Sequence, residues 1–150
     1  MIETLIARAR SIDIDMILDN TINQRIEFLL DLVRSQLLSG ERSDGTPIGT
    51  YSKSEIGKYY VDLKFDMGLF KGGSDPNYDL YFDGTYHKSL TAKVTSDSIE
   101  IWSTDPKEPE IEMNTGSLDN ALVLNEENLQ LFIDELIPLI KNDIYGKLGI

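Results

Sequence analysis

The sequence predicts an α+β domain: a long N-terminal helix, a loop-rich middle, a small antiparallel β-sheet and a C-terminal helix packed on that sheet. Two observations carry this. Apolar residues recur at three- and four-residue spacing from Ile17 to Leu37 and again from Leu129 to Ile140, the period of a helix with one buried face. Between Tyr78 and Ser103 the period changes to two, as in half-buried strands. The chain has 150 residues, the length of one domain with one core, and residues 1–150 read as a single unit.

Taken in order, a short helix over Ile2 to Arg10 precedes the long one, for which Asp13 or Asp19 is the N-cap and Gly40 the terminator. Ser39 to Gly49 holds three glycines and a proline and reads as a loop. Ser52-Lys53-Ser54-Glu55 has the form of a capping box that opens a short helix ending at Tyr59 or Tyr60. Phe65 to Asn77 reads as a second long loop. Leu80 and Phe82 alternate into Asp83-Gly84, and His87 falls on this strand. Leu90, Ala92 and Val94 lead through Thr95-Ser96-Asp97 to Ile99 and Ile101, a hairpin with Trp102 on the opposite face. The polar stretch 104–118 reads as a third loop or a peripheral arm. Asn125, followed by Glu126 and Glu127, opens the final helix, and Pro138 is expected to bend or end it.

Composition narrows function. The net charge is −12, and Asp97 to Asp143 carries twelve acids against Lys107 and Lys141. Such a surface repels nucleic-acid phosphates and anionic lipid heads, so tight nucleic-acid binding and a membrane role are disfavoured while basic protein partners are not. No run of about 18 apolar residues is present to span a bilayer. Cysteine is absent and His87 is the sole histidine, which removes disulfides, thiolate metal sites and cysteine nucleophiles. The lack of cysteine also fits assembly in a reducing cytoplasm.

Several patterns resemble chemical sites and are weak on inspection. Asp75, Asn77 and Asp79 alternate like the start of a calcium loop, but Leu80 stands where the sharp-turn glycine belongs and Tyr86 where the closing acid belongs. Gly68, Gly72 and Gly73 around Lys71 lack the strand and helix of a phosphate cradle. Glu108, Glu110 and Glu112 read as one solvated face of an extended arm rather than catalytic acids. His87 has the chemistry of a general base or a pH-dependent contact, but no nucleophile motif accompanies it, and an outward or interfacial position is expected. No catalytic, cofactor or metal residue is therefore assigned. Tyr51, Tyr59, Tyr60, Tyr78, Tyr81 and Tyr86 crowd the middle of the chain without interleaved basic residues, a composition suited to protein contact or core filling. Tyr51, Tyr86 and Trp102 are the expected anchors of contacts with copies or partners.

The order of elements adds a resemblance. A helix ending in Gln36 to Gly40, the loop Ser43-Asp44-Gly45-Thr46-Pro47-Ile48-Gly49-Thr50-Tyr51-Ser52, the segment Leu80 to Leu90 with Gly84 and Ser89-Leu90, the return strand Ile99-Glu100-Ile101-Trp102-Ser103, and the helix start Leu124 to Asn128 follow one another. Together, over roughly residues 30 to 135, they resemble the minor structural proteins of tailed-phage particles. These are the neck, tail-completion and virion-morphogenesis (head-tail connector) proteins, and the version here is most similar to those of Bacteroides-infecting crAss-like phages. Ile48 stands where the family often has an aromatic residue, and basic residues before the first strand are thinned to Lys58, Lys64 and Lys71. The resemblance implies a non-enzymatic, cofactor-free subunit, made in the host bacterial cytoplasm and residing in the virion. It implies a ring of copies at the neck or upper tail, contacts with portal, connector or tail proteins, and DNA passing through the lumen without being tightly held. An acidic lumen suits such passage. In that arrangement the loops Ser39 to Gly49 and Phe65 to Asn77 are the interlocking parts. The second expectation, from another class, is a small acidic regulatory or inhibitor protein that mimics nucleic-acid charge on a basic site.

Overall fold

The computed structural model describes residues 1–70 and 77–150. It is an α+β fold. Among the described residues there are eight helices, α1 (Ile2–Arg10), α2 (Ile14–Gln24), α3 (Ile26–Leu38), α4 (Glu55–Asp66), α5 (Thr85–Lys88), α6 (Glu108–Thr115), α7 (Asp119–Leu122) and α8 (Glu126–Leu148). One antiparallel pair of strands, β1 (Leu90–Val94) and β2 (Ile99–Ser103), completes the fold.

The central element is α3. Its residues Leu30, Val33 and Leu37 face a core completed by Ile48, Tyr86, Leu90, Leu118, Ala121 and Leu122. Its other flank, Leu29 and Leu32, meets Phe132 and Leu136 of α8, and Ala92, Ile99 and Ile101 of the hairpin pack against that second cluster. The helical period predicted from Ile17 to Leu37 thus buries two adjoining stripes, with Ile17, Val33 and Leu37 fully inside. The predicted single long helix is two: α2 ends and α3 begins at Arg25 (φ −115°, ψ 15°), whose guanidinium lies 3.0 Å from the Glu135 carboxylate on α8. Of the two predicted cap candidates, Asp13 caps α2, its carboxylate accepting from the Met16 amide, and Asp19 lies within that helix.

The hairpin has the predicted place, with Leu90 opposite Ser103 and Val94 opposite Ile99. The strand expected around Leu80 and Phe82 is not formed. Leu80 has φ 53°, the one non-glycine residue at positive φ among those described, and a strand cannot pass through it. Beyond it, the Asp83 carboxylate accepts from the Thr85 amide and Gly84 turns at φ 82° into α5, so His87 lies on a helical turn. The expected loop or arm at 104–118 is also corrected. Residues 108–115 are helical, Pro109 being tolerated in the first turn, and Leu118 is 1% exposed in the main core. Glu108, Glu110 and Glu112 accordingly lie on a helix and not on an extended face.

Side-chain polar groups tie these segments together. Gln36, buried on α3, donates to the carbonyls of Ala121 and Val123 and accepts from the Asn125 amide, which fixes the entry to α8. Asn125 is the predicted N-cap, accepting from the Asn128 amide at 2.8 Å. Pro138 lies inside α8 and does not end it, because the helix continues to Leu148. The loop after α3 is likewise pinned. Arg42 donates to the carbonyls of Ile48, Thr115 and Ser117, the Ser43 amide bonds the Asn120 carbonyl, and Ile48 is buried. Ser39 to Gly49 is therefore engaged within its own chain, where the sequence suggested an interlocking loop. The second such loop, Phe65 to Asn77, begins two residues later than predicted because Phe65 and Asp66 complete α4, and its residues 71–76 lie outside the described residues.

Candidate functional site

The unusual element is α4. Its N-cap is Ser54, whose hydroxyl accepts from the Gly57 amide, while Ser52 accepts from the Ser54 amide, so the capping sits two residues beyond the predicted box. Gly57 is required there, since a Cβ at that position would collide with the Ser52 carbonyl. The helix runs to Asp66, well past Tyr60.

Among the described residues, the one buried side chain of α4 is a lysine. Lys64 is 1% exposed, and its ammonium donates to the Asp79 carboxylate at 2.6 Å and to the Tyr51 hydroxyl at 3.0 Å. Aromatic faces complete its surroundings, with the Phe70 ring centroid at 4.6 Å and that of Tyr51 at 5.6 Å. Asp79 is itself 3% exposed. Its Oδ1 also accepts from the Tyr81 amide, a local turn that holds Leu80 at its left-handed φ, and its Oδ2 has no hydrogen-bond partner among the described residues. The Asp79 carbonyl accepts from His87 Nε2 at 2.8 Å, which places the ring proton on that nitrogen, and the His87 carbonyl accepts from Arg34 on α3. A chain of polar contacts thus runs from α4 through the 79–81 turn and α5 to α3.

Around this pair the rings interlock. Tyr51 lies 4.5 Å from Tyr78, 5.5 Å from Tyr60 and 6.2 Å from Phe70, and Phe70 lies 4.6 Å from Phe65. Burial, reinforced by the Asp79 charge, pushes the phenols of Tyr51 and Tyr60 upward, so both stay protonated around neutral pH.

Because Lys64 occupies the inward face, the apolar residues of α4 turn aside from it. Ile56, Tyr59, Tyr60, Leu63 and Met67 follow the i, i+3, i+4, i+7, i+11 pattern and span about 100° of the helix surface. Ile56 is 82% exposed, Tyr59 69% and Met67 55%. An amphipathic helix normally buries this stripe. Here Ile56, Tyr59 and Met67 face solvent while Tyr60 and Leu63 are partly covered, Tyr60 by Tyr51 and Phe82, and Glu55, Asp62 and Asp66 stand alongside Tyr59 at i−4, i+3 and i+7.

The three anchors expected from sequence are not brought into one patch. Tyr51 lies half-buried at the centre of the ring cluster. Trp102 stands on the outer face of β2, 40% exposed, as its strand parity predicts. Tyr86 is corrected: it is 4% exposed and packs in the main core, its hydroxyl facing Glu108 at 3.4 Å, because its segment is a helical turn and not a strand. His87 is corrected as well, being buried and not outward. Burial draws its imidazole below the ordinary value, outweighing its contact with Asp79. The consequence for stability has a definite sign. The unfolded chain takes up a proton near pH 6.5 that the folded chain refuses, so stability is lost as pH falls below about 6.5. His87 is the sole histidine, so an NMR titration of its ring checks this directly. The expected midpoint lies below that of a free histidine, and one at or above it removes the buried-neutral assignment.

Of the calcium-like pattern, Asp75 lies outside the described residues and Asp79 is engaged by Lys64. Among the described residues no group of three or more acids or histidines is placed to hold a metal ion. Of the glycine-rich pattern, Gly68 ends the turn after α4 and Lys71, Gly72 and Gly73 lie outside the described residues. Among those residues, too, no helix is long and apolar enough to cross a membrane.

The spacing of the α4 stripe is visible in the sequence, but the capping pattern predicts a helix ending at Tyr59 or Tyr60, which leaves Leu63 and Met67 off it. Nothing in the sequence marks Lys64 as buried. No family model, curated protein or solved structure matches the chain.

Proposed function

We propose that this chain is a non-enzymatic structural subunit that works by assembling with copies of itself, as part of a ring at the head-to-tail connector, neck or upper tail of a tailed-phage particle. The observation that carries the assembly reading is the solvent-facing row Ile56, Tyr59 and Met67 on a helix that turns a lysine inward. A contiguous apolar face rimmed by charged residues is the usual mark of a protein contact. The phage setting is supported by the sequence resemblance over residues 30 to 135, and the net charge of −12 suits a conduit that does not hold DNA.

Light scattering over a concentration series, followed by negative-stain microscopy of the heaviest species, tests it. Annular particles of many subunits are the expected result. A monomer that instead binds a basic nucleic-acid-handling protein, with affinity falling steeply as salt rises, selects the charge-mimic reading.

A further inference from the structure

A second helix of this chain leaves its apolar face uncovered. Helix α1 buries none of its residues, and Ile2, Leu5 and Ile6 are 72%, 39% and 45% exposed. With Ala9 they follow the i, i+3, i+4, i+7 spacing of one stripe. The helix leans on α8, where the Arg8 guanidinium donates to the Leu148 carbonyl at 2.9 Å, and Ile2, Leu5 and Ile6 each keep more than a third of their surface exposed. Helix α4 is held elsewhere, by Lys64 against the 79–81 turn.

The two stripes differ in the charge beside them. Along α1 stand Arg8 and Arg10 against Glu3, with Arg10 one turn beyond Ile6. Along α4 stand Glu55, Asp62 and Asp66 against Lys58 as the exposed base, Lys64 being consumed by Asp79. One face is apolar with a basic rim and the other apolar with an acidic rim, so unlike faces attract where like faces repel.

We propose that α1 of one copy docks on the α4 stripe of the next, Ile2, Leu5 and Ile6 packing on Ile56, Tyr59 and Met67 with Arg10 toward the Glu55, Asp62 and Asp66 row. The contact is head-to-tail, since it joins two different faces. Such a contact leaves one free face of each kind at the ends of every oligomer and generates a ring when the rotation closes. The inference rests on the self-assembly reading above and names its interface.

Two variants of the full chain separate the faces, both at exposed positions where a carboxylate leaves the fold intact: Ile6→Asp on α1 and Ile56→Asp on α4. Each variant keeps one good face. Measured by light scattering, the wild-type chain is expected to grow in mass with concentration beyond a dimer, and each variant alone to remain monomeric. An equimolar mixture of the two is expected to form a one-to-one pair that grows no further, since the paired faces are used up and the outer ones are defective. Circular dichroism and thermal unfolding of each variant confirm the fold. A variant that still self-associates as a dimer overturns the head-to-tail contact, because it marks a like-with-like interface. A mixture that stays monomeric while the wild type assembles overturns it too, as does assembly indifferent to both substitutions, and in these cases self-assembly stands by another surface. A wild-type chain that is monomeric up to about 1 mM, the range of even weak specific contacts, overturns the docking and the self-assembly reading together.

Discussion

Lys64→Ala is expected to destabilise the fold by about 3–5 kcal/mol, the cost of leaving a buried charge without its partner. Both members of the pair are almost wholly buried, so solvent screening does little to reduce the loss. The Asp79 carboxylate would keep the Tyr81 amide at one oxygen and have no compensating cation, while its second oxygen already lacks a hydrogen-bond partner among the described residues. The double replacement Lys64→Met with Asp79→Leu is expected to recover much of the loss, because removing both charges also removes their desolvation. Urea denaturation of the two variants against the wild type measures this. A loss under about 1 kcal/mol for Lys64→Ala, the range of an exposed pair, rules out a buried ion pair there. The same variants bear on assembly: the pair and its ring cluster anchor α4, so loosening them is expected to weaken association along with stability.

Tyr86→Ala is expected to cost about 3–5 kcal/mol, while Tyr86→Phe costs about 1 kcal/mol or less. The ring fills the core between α3, Leu90 and Leu118, so truncation opens a cavity that close-packed neighbours cannot fill. The hydroxyl's contact with Glu108 is long, at 3.4 Å, and its loss matters little. Burial pushes this phenol upward, with the Glu108 charge adding to it, and the same burial raises the Glu108 carboxyl. Thermal unfolding of both variants separates core from surface. If Tyr86→Ala leaves stability unchanged, Tyr86 belongs to a surface after all. Trp102→Ala serves as the contrast, its ring lying 40% exposed on the outer face of β2, and a smaller loss is expected.

Much of the fold was legible because local signals and tertiary demands agree. Asp13 and Asn125 cap their helices, the hairpin pairs Leu90 to Val94 with Ile99 to Ser103, and Trp102 faces away from Ile101, all as spacing and cap chemistry predict. The failures fall where a side chain is used against its type. Around Leu80 the alternation suggested a strand, but the Asp79 carboxylate bonds the Tyr81 amide and Lys64, and these bonds hold the backbone at a positive φ that pairing cannot use. At Pro138 the helix persists: Phe132 and Leu136 pack in the core within two turns before it, and the chain beyond remains helical to Leu148.

The sequence by itself determined the class of the protein: the helical stripes on α3 and α8, the two-stranded hairpin, the caps, and a chemistry without cysteine or a histidine pair. Periodicity and composition suffice for these, because they depend on residues close in the chain. Only the tertiary structure decided which faces remain open. Whether the α4 stripe points to the core or to solvent depends on Lys64 finding Asp79 fifteen residues away and on Tyr51 closing over it, contacts that no local pattern encodes. A lysine is ordinarily placed outside, and one buried partner reverses that preference and turns the apolar side of the helix outward.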